Sequence, residues 1–295
     1  MRTLSLLNPF GAPVYWVKTT SSTMDDSRRL AAEGAAHGTV IAADFQEAGR
    51  GRGRDRPWTG RPGENLSATI VLRYPGAGAI PPALSLKTGL AVALAIEDFA
   101  PALTGLVRIK WPNDIMIFSS PPGAAAGTEA AGKTLAAFKA AGILTETDGK
   151  TVHIGFGVNA AQTEFPEELR YKAISIALAL STAASVPAAS SPPEADFAPA
   201  LSPESRFTLL EKILARLHQE LEGPDAGDWA ARLEQRLYLR GQPVRFIAGA
   251  AGSGRVVEGR LAGIGKAGEL LLLPPGADTP LAFFAGELDV YGKGG

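Results

Sequence analysis

Gly49-Arg50-Gly51-Arg52-Gly53-Arg54-Asp55-Arg56-Pro57-Trp58 alternates glycines, which let backbone N–H groups approach a ligand, with guanidinium groups that carry permanent charge in a planar donor fork. Such a tract is suited to anions. Three other segments bring chemistry-bearing side chains together. Lys110-Trp111-Pro112-Asn113-Asp114 sets a cation, an aromatic ring, an amide and a carboxylate at one strand-to-turn transition, although Pro-Asn-Asp alone reads as an ordinary turn. Lys139 precedes Ala140-Ala141-Gly142-Ile143-Leu144, where Gly142 would mark a bulge. Ile154-Gly155-Phe156-Gly157-Val158-Asn159 reads as a glycine-relieved core strand ending in an amide. Singly, these three have plain structural explanations. The Arg/Gly tract is brief, lies between two strand-like runs and closes on Pro57-Trp58, which favours an ordered phosphate-binding loop over a disordered RNA-binding tract or a solvated loop.

Composition removes several alternatives. The 295 residues include no cysteine, which excludes a disulfide framework, a thiolate zinc site and a cysteine nucleophile. His37, His153 and His218 lie far apart, without the spacing of a histidine metal site. With 29 basic and 30 acidic side chains the net charge is -1, so any grip on nucleic acid would have to be local. The first thirteen residues carry one basic side chain and no sustained apolar run, unlike a signal peptide. No stretch approaches the roughly eighteen uncharged apolar residues of a membrane span, so a soluble cytoplasmic protein is expected.

The elements that must position these segments follow from periodicity and punctuation. Thr20-Ser21-Ser22-Thr23 offers hydroxyl caps ahead of Asp25-Asp26, whose charge suits the positive start of a helix; that helix is expected over 27–36, with Gly34 and Gly38 bracketing its end. Residues 40–46 and 65–74 read as strands, the second with Leu66, Ala68, Ile70 and Leu72 on one face. The segment 83–99 is apolar nearly all round, as a buried helix would be. Short strands are expected over 107–111, 115–118, 141–145 and 152–158, and amphipathic helices over 207–221 and 229–238. Ala, Ser, Gly and Pro crowd the stretches near 119–131 and 181–203, which are expected to be mobile insertions. From Gly241 onward, strand-like runs at 243–247, 255–262, 270–273 and 281–284 suggest a small β-barrel. Helices mixed with neighbouring antiparallel strands imply an α+β fold, with one unit over 1–238 and the barrel over 239–295.

In series, these segments closely resemble biotin protein ligases, which adenylate biotin and transfer it to a lysine of a carrier domain. Ser22-Thr23 opens the first helix and Gln46 stands just before the Gly/Arg loop. Lys110 to Asp114, Lys139 to Leu144 followed by Glu146, and Ile154 to Asn159 then come in the family's order. The likeness runs over about 20–161 and resumes over 241–290. The family loop usually reads Gly-Arg-Gly-Arg, two residues, Arg, one residue, Trp. This chain has one residue more, so either Arg52 or Arg54 can take the second arginine position, and distance from Gln46 favours Arg52. The stretch 118–138 is longer than the family's tight turn before its lysine, while Gly142-Ile143-Leu144 sets the register.

The resemblance implies a class II synthetase-like mixed or antiparallel sheet flanked by helices, with a C-terminal SH3-like β-barrel. It implies two half-reactions, formation of biotinyl-AMP from biotin and ATP, then attack of a carrier lysine on the mixed anhydride. Lys139 and Arg52 would stabilise the developing charge, Mg2+ would neutralise the triphosphate without assigned protein ligands, and Asp114 would orient or deprotonate the incoming lysine. Biotin is expected against Ser22, Thr23, Met24, Gln46, Gly49, Arg50, Gly51, Arg52 and Lys139, with Gly142 leaving room for the valeryl tail. ATP is expected against Arg52, Arg54, Trp58, Lys110, Asn113, Asp114 and Asn159, with the loop closing over the adenylate to exclude water. The implied partner is a biotin carboxyl carrier protein of acetyl-CoA carboxylase or a related biotin-dependent enzyme. Some members double as repressors through a winged helix. Because the likeness begins near Tyr15, a stand-alone ligase without DNA binding is expected, and a homodimer through a strand edge is left open. The rivals are a lipoate ligase of the same fold, disfavoured by the dense Arg/Gly loop and by Lys110 to Asp114, and a non-enzymatic RNA binder using that loop.

Overall fold

The computed structural model describes residues 1–53, 57–120, 136–183, 201–202, 204–224, 226–249 and 254–290. In chain order these form β1 (Arg2–Leu4), β2 (Val14–Thr20), α1 (Thr23–Ala32), β3 (Thr39–Gln46), β4 (Leu66–Arg73), α2 (Leu84–Phe99), β5 (Val107–Lys110), β6 (Asp114–Ser119), β7 (Ala136–Thr147), β8 (Thr151–Val158), α3 (Ile176–Ala183), α4 (Ser205–Glu222) and α5 (Trp229–Glu234). The eight strands make one sheet in the order β1-β2-β3-β4-β8-β7-β6-β5. Its β2·β3 pair is parallel and its other pairs are antiparallel. The mixed sheet with helices on both faces is the α+β arrangement expected.

Strand alternation divides the two faces by chemistry. On β8, Val152, Ile154, Phe156 and Val158 join Leu66, Ala68, Ile70 and Leu72 of β4 in the apolar core, under α2 and α4. Composition alone would let the 77–99 stretch cross a bilayer, yet α2 is the central core helix, with Leu90, Ala91, Val92 and Ile96 fully buried. The other face is small or polar, pairing Ser67 with Gly157, Thr69 with Gly155 and Val71 with His153. Helix α1 lies on this face, and Met24 Sδ sits 2.9 Å from where a Cβ on Gly155 would stand. Glycine is what lets α1 settle so close to the sheet.

Several expected boundaries move for identifiable reasons. Ser22 accepts a hydrogen bond from the Met24 N–H and caps α1, as the hydroxyl run 20–23 suggests, and α1 takes in residues 23–26 ahead of the expected 27–36. The helix ends at Ala32, with Gly34 just beyond it at φ +92°. Helix α5 stops at Glu234 rather than continuing to 238, because Ile109 N donates to Arg236 O and Tyr238 N donates to Ile109 O, extending the sheet edge at β5. Of the expected insertions, Ser119 closes β6 and 181–183 finish α3; 121–135, 184–200 and 203 lie outside the described residues.

The C-terminal part contains β9 (Pro243–Ala248), β10 (Val256–Ile264), β11 (Leu270–Leu273), β12 (Leu281–Phe283) and β13 (Gly286–Leu288). These form an antiparallel sheet in the order β12-β11-β10-β9-β13, with Phe246, Leu261, Leu270, Leu272 and Leu288 buried. A small antiparallel sheet thus occupies the segment where a barrel was expected.

Candidate active site

The polar face of the sheet opens into a cavity beside the N-terminus of α1. Ser22, Thr23, Met24, Gln46, Arg50, Gly51, Arg52, Trp58, Asn113, Lys139 and Gly142 all line it, with Leu144, Gly155 and Gly157. These residues come from five separated segments, at 22–24, 46–58, 113, 139–144 and 155–157, that meet at one place.

A break in β7 register brings the lysine there. Lys139 and Gly142 are an odd number of positions apart and would face opposite sides of a regular strand. Ile115 pairs with Ala141 and Met116 with Lys139, so Ala140 is an extra residue, a β-bulge. The bulge turns Lys139 onto the Gly142 side, where a Cβ on Gly142 would lie 3.3 Å from Lys139 Cε and Nζ. Lys139 N donates to Lys172 O and Ile174 N to Lys139 O, satisfying the bulged backbone. Lys139 Nζ forms an ion pair with Asp114 Oδ1 at 2.6 Å.

The α1 end of the cavity is a fixed polar cluster. Gln46 Oε1 accepts from the Thr23 N–H at 2.8 Å and from the Thr23 hydroxyl at 3.0 Å, while Thr69 Oγ1 donates to Thr23 Oγ1 at 2.9 Å. A backbone N–H can only donate, so the Gln46 carbonyl must face the helix and its NH2 group points the other way. Deeper along α1, Ser27 Oγ donates to Met24 O and lies 2.9 Å from His153 Nδ1. Burial, aided by the nearby Arg28 charge, holds the His153 imidazole below its ordinary value of 6.5.

The Gly/Arg loop closes at its base through Trp58 N donating to Gly49 O at 2.9 Å. Arg50 makes a two-pronged contact with Asp25, Nη2 to Oδ1 at 2.7 Å and Nη1 to Oδ2 at 3.1 Å. That contact holds the Asp25 carboxyl below the usual carboxylate range. Arg52 Nη2 donates to Gly286 O of the C-terminal sheet at 2.6 Å. Arg54 lies outside the described residues. The Trp58 indole rests on the glycine shelf, within 2.3 Å of where a Cβ on Gly157 would be, and its buried N–H has no acceptor among the described residues. Only about 40 Å³ of free space remains around it.

A second cavity adjoins the first and is lined by Arg52, Trp58, Lys110, Trp111, Pro112, Asn113, Asp114, Lys139 and Glu287. Asn113 is fixed by its own amide donating to Ile143 O at 2.8 Å, and Lys110 is buried. Two expected ligand contacts sit elsewhere. Gly49 lines neither cavity and serves the loop base, with Gln46 Nε2 3.1 Å from where its Cβ would stand. Asn159 lies beneath the bulge, its amide donating to Ile174 O at 3.2 Å and reaching Lys139 O at 3.5 Å, so it braces the lysine backbone. Gly155 and Gly157, named from the sequence as relief glycines of a core strand and not as site residues, line the cavity, and their same-face spacing signals a surface without side chains. The sequence reading missed Glu287 and Thr69, whose places depend on long-range pairing.

Residues 16–159 match the biotin/lipoate A/B protein ligase family. The bifunctional ligase/repressor BirA of Bacillus subtilis is 36% identical over 166 residues, covering 54% of this chain and 44% of that protein. The biotin--[acetyl-CoA-carboxylase] ligase of Mycobacterium tuberculosis is 35% identical over 168 residues, covering 54% of this chain and 53% of its own. The chain thus spans about half the length of the curated relatives it matches. In fold it is similar to the biotin protein ligase of Aquifex aeolicus solved with biotin and ATP, at TM-score 0.66 and 23% identity over 93% of this chain and 97% of that one. The Leishmania major biotin protein ligase solved with biotin gives TM-score 0.53 at 22% identity, over 92% and 98%. On the motif order, the converging cavity and these likenesses together, residues 16–159 form a domain of the biotin/lipoate A/B protein ligase family.

Proposed function

We propose that the chain is an ATP-dependent biotin protein ligase that makes biotinyl-AMP and transfers the biotinyl group to a lysine of a biotin carboxyl carrier protein. The observation that carries this reading is the meeting of Lys139, Asp114 and Arg52 with the Thr23–Gln46 cluster at two adjoining cavities. The first has placed donors and acceptors in an otherwise apolar or glycine-lined space, the kind of site a neutral ureido ring on an apolar body requires. The second gathers Lys110, Lys139 and Arg52 beside the carboxylates Asp114 and Glu287, and its three cations suit phosphates.

In the first half-reaction a biotin carboxylate oxygen attacks the α-phosphorus of ATP and pyrophosphate leaves. Lys139 and Arg52 stand at the boundary of the two cavities, where charge builds on both partners. Mg2+ arrives with the triphosphate as part of the substrate. In the second half-reaction the carrier lysine amine attacks the acyl carbon and AMP leaves. Ligand oxygens that draw Lys139 toward themselves free the Asp114 carboxylate to orient that amine and accept its proton. Asn159 contributes by holding the bulge, and Trp58 swings off the glycine shelf to admit ligand.

The C-terminal sheet is read as an SH3-like barrel, the protein as soluble and cytoplasmic, and no repressor activity is assigned. Both described loop arginines have protein partners in Asp25 and Gly286, which argues against a splayed RNA-binding tract. The test is transfer of labelled biotin to a carrier domain with ATP and Mg2+, with lipoate and a lipoyl domain run in parallel. Labelling with biotin alone supports the proposal. Labelling only with lipoate, or none with either, overturns it.

A further inference from the structure

We propose that Asp25 is a positioning residue for this reaction, the counter-charge that holds the Gly/Arg loop over the cavity by gripping Arg50. The proposal rests on the ligase reading for its kinetic arm and on geometry alone for its protease arm. Asp25 lies in the first turn of α1, where its charge also suits the helix dipole. Its carboxylate receives both prongs of the Arg50 guanidinium, and it also takes a hydrogen bond from Arg28 Nη1. Arg28 is in turn ion-paired with Glu146 of β7. A chain of alternating charge, Arg50–Asp25–Arg28–Glu146, therefore ties the loop through α1 to the strand that carries Lys139 and Gly142. On its far side the loop is tied by Arg52 to Gly286 O. Residues 50–52, which line the cavity, are held between these two fastenings, and the Arg50 side chain turns back onto α1.

The strength of the tie fits this role. The Arg50 and Asp25 side chains are 43% and 46% exposed, so water and salt screen the pair and its worth is small. A fastening of that size favours the closed loop without locking it, as ligand entry past Trp58 demands. It also makes the loop sensitive to ionic strength in a way that packing alone would not be.

The experiment compares wild type with Asp25→Asn and Asp25→Glu. Thermal melts serve as a folding control, and two readouts are taken, biotin-dependent pyrophosphate release and ligand-free trypsin cleavage within 49–58. Asp25→Asn should raise the KM for biotin and the cleavage rate by roughly two- to five-fold, the range an exposed bidentate pair commands. Its kcat should stay near that of wild type, and Asp25→Glu should restore part of both losses. Raising salt should raise both quantities in wild type but hardly at all in Asp25→Asn. An unchanged KM and cleavage rate, or a fall in kcat at constant KM, overturns the proposal. If Asp25→Asn does not fold, salt-insensitive cleavage of wild type overturns it instead. Should wild type release no pyrophosphate with biotin, the ligase reading fails while the protease arm still decides whether Asp25 holds the loop.

Discussion

Lys139 and Gln46 separate two kinds of contribution at the site. The Lys139 ammonium stands between the cavities with only Asp114 as its ion-pair partner among the described residues, so Lys139→Ala removes a fixed charge from the place where phosphate and carboxylate oxygens must meet. Biotinyl-AMP formation should fall by about 10²–10³, the loss typical of one electrostatic contact made in the transition state, with the melting temperature little changed. Single-turnover adenylation measures this. Gln46 is different. Its carbonyl caps the Thr23 N–H, so Gln46→Glu keeps an acceptor at the helix start and even adds favourable charge there. It loses the amide donors on the other side. Fold stability should hold while the KM for biotin rises by about ten-fold, equivalent to one hydrogen bond to a neutral partner. Both residues were named through the order of motifs that carries the family resemblance, since the Lys139 segment alone has a plain structural explanation and Gln46 alone carries no motif. Asp25 was legible only as a helix-start acid, since its partner Arg50 lies on a separate segment and pairing across such a distance leaves no periodic trace.

Regular elements were read with fair accuracy where one face is apolar, as in α2, α4, β4 and β8, because burial imposes a period the sequence must obey. The readings failed where tertiary pairing overrides that period. Residues 236–238 continue a helical pattern, yet their backbone is claimed by Ile109 at the sheet edge. Strand β2 went unread because its half-buried residues show no clean alternation, its place being set by parallel pairing with β3. The bulge in β7 was assigned to Gly142 and lies at Ala140, two residues earlier, and it is this shift that delivers Lys139 to the cavity. The seating of α1 on β8 carries its own prediction. His153 is buried against Ser27 with its ionisation held below 6.5, so the unfolded chain binds a proton more readily than the native one. Stability from this group is present above about pH 6.5 and falls as the pH drops below that value toward the depressed native one. His153→Gln, which loses the titration, should flatten the fall in melting temperature between pH 7.5 and pH 5 (about two and a half units spanning the imidazole range). An equal slope in both proteins would assign the acid sensitivity to other groups.

At the scale of the molecule, the C-terminal sheet is fastened to the same loops that form the site. Trp111 Nε1 donates to Gly268 O at 3.0 Å, Trp111 packs on Phe246 with ring centroids 5.8 Å apart, Arg52 reaches Gly286 O, and Glu287 lines the second cavity. Trp111 belongs to the segment that places Asn113 and Asp114, so the sheet's seating bears on the nucleotide side of the site. Gly268 is the point where this can be tested. It holds φ +91°, and a Cβ there would come within 2.6 Å of the Ala83 side chain. Gly268→Val therefore adds backbone strain and pushes the sheet off Ala83 and Leu86. Gly276 provides the control, because it holds φ +76° in the turn between β11 and β12 with nothing within 4 Å of where a Cβ would stand, so Gly276→Val adds strain without a collision. Both variants should lose about 1–3 kcal/mol of stability from the unfavourable conformation. Only Gly268→Val should also raise the KM for ATP, by about ten-fold, and red-shift tryptophan emission as Trp111 gains water, since the hydrogen bond and ring contact that seat it are worth roughly 1–2 kcal/mol together. If the two variants shift ATP use equally, the effect comes from a weakened C-terminal sheet rather than from its grip on Trp111. The two parts of the chain would then be neighbours without a shared role in nucleotide binding.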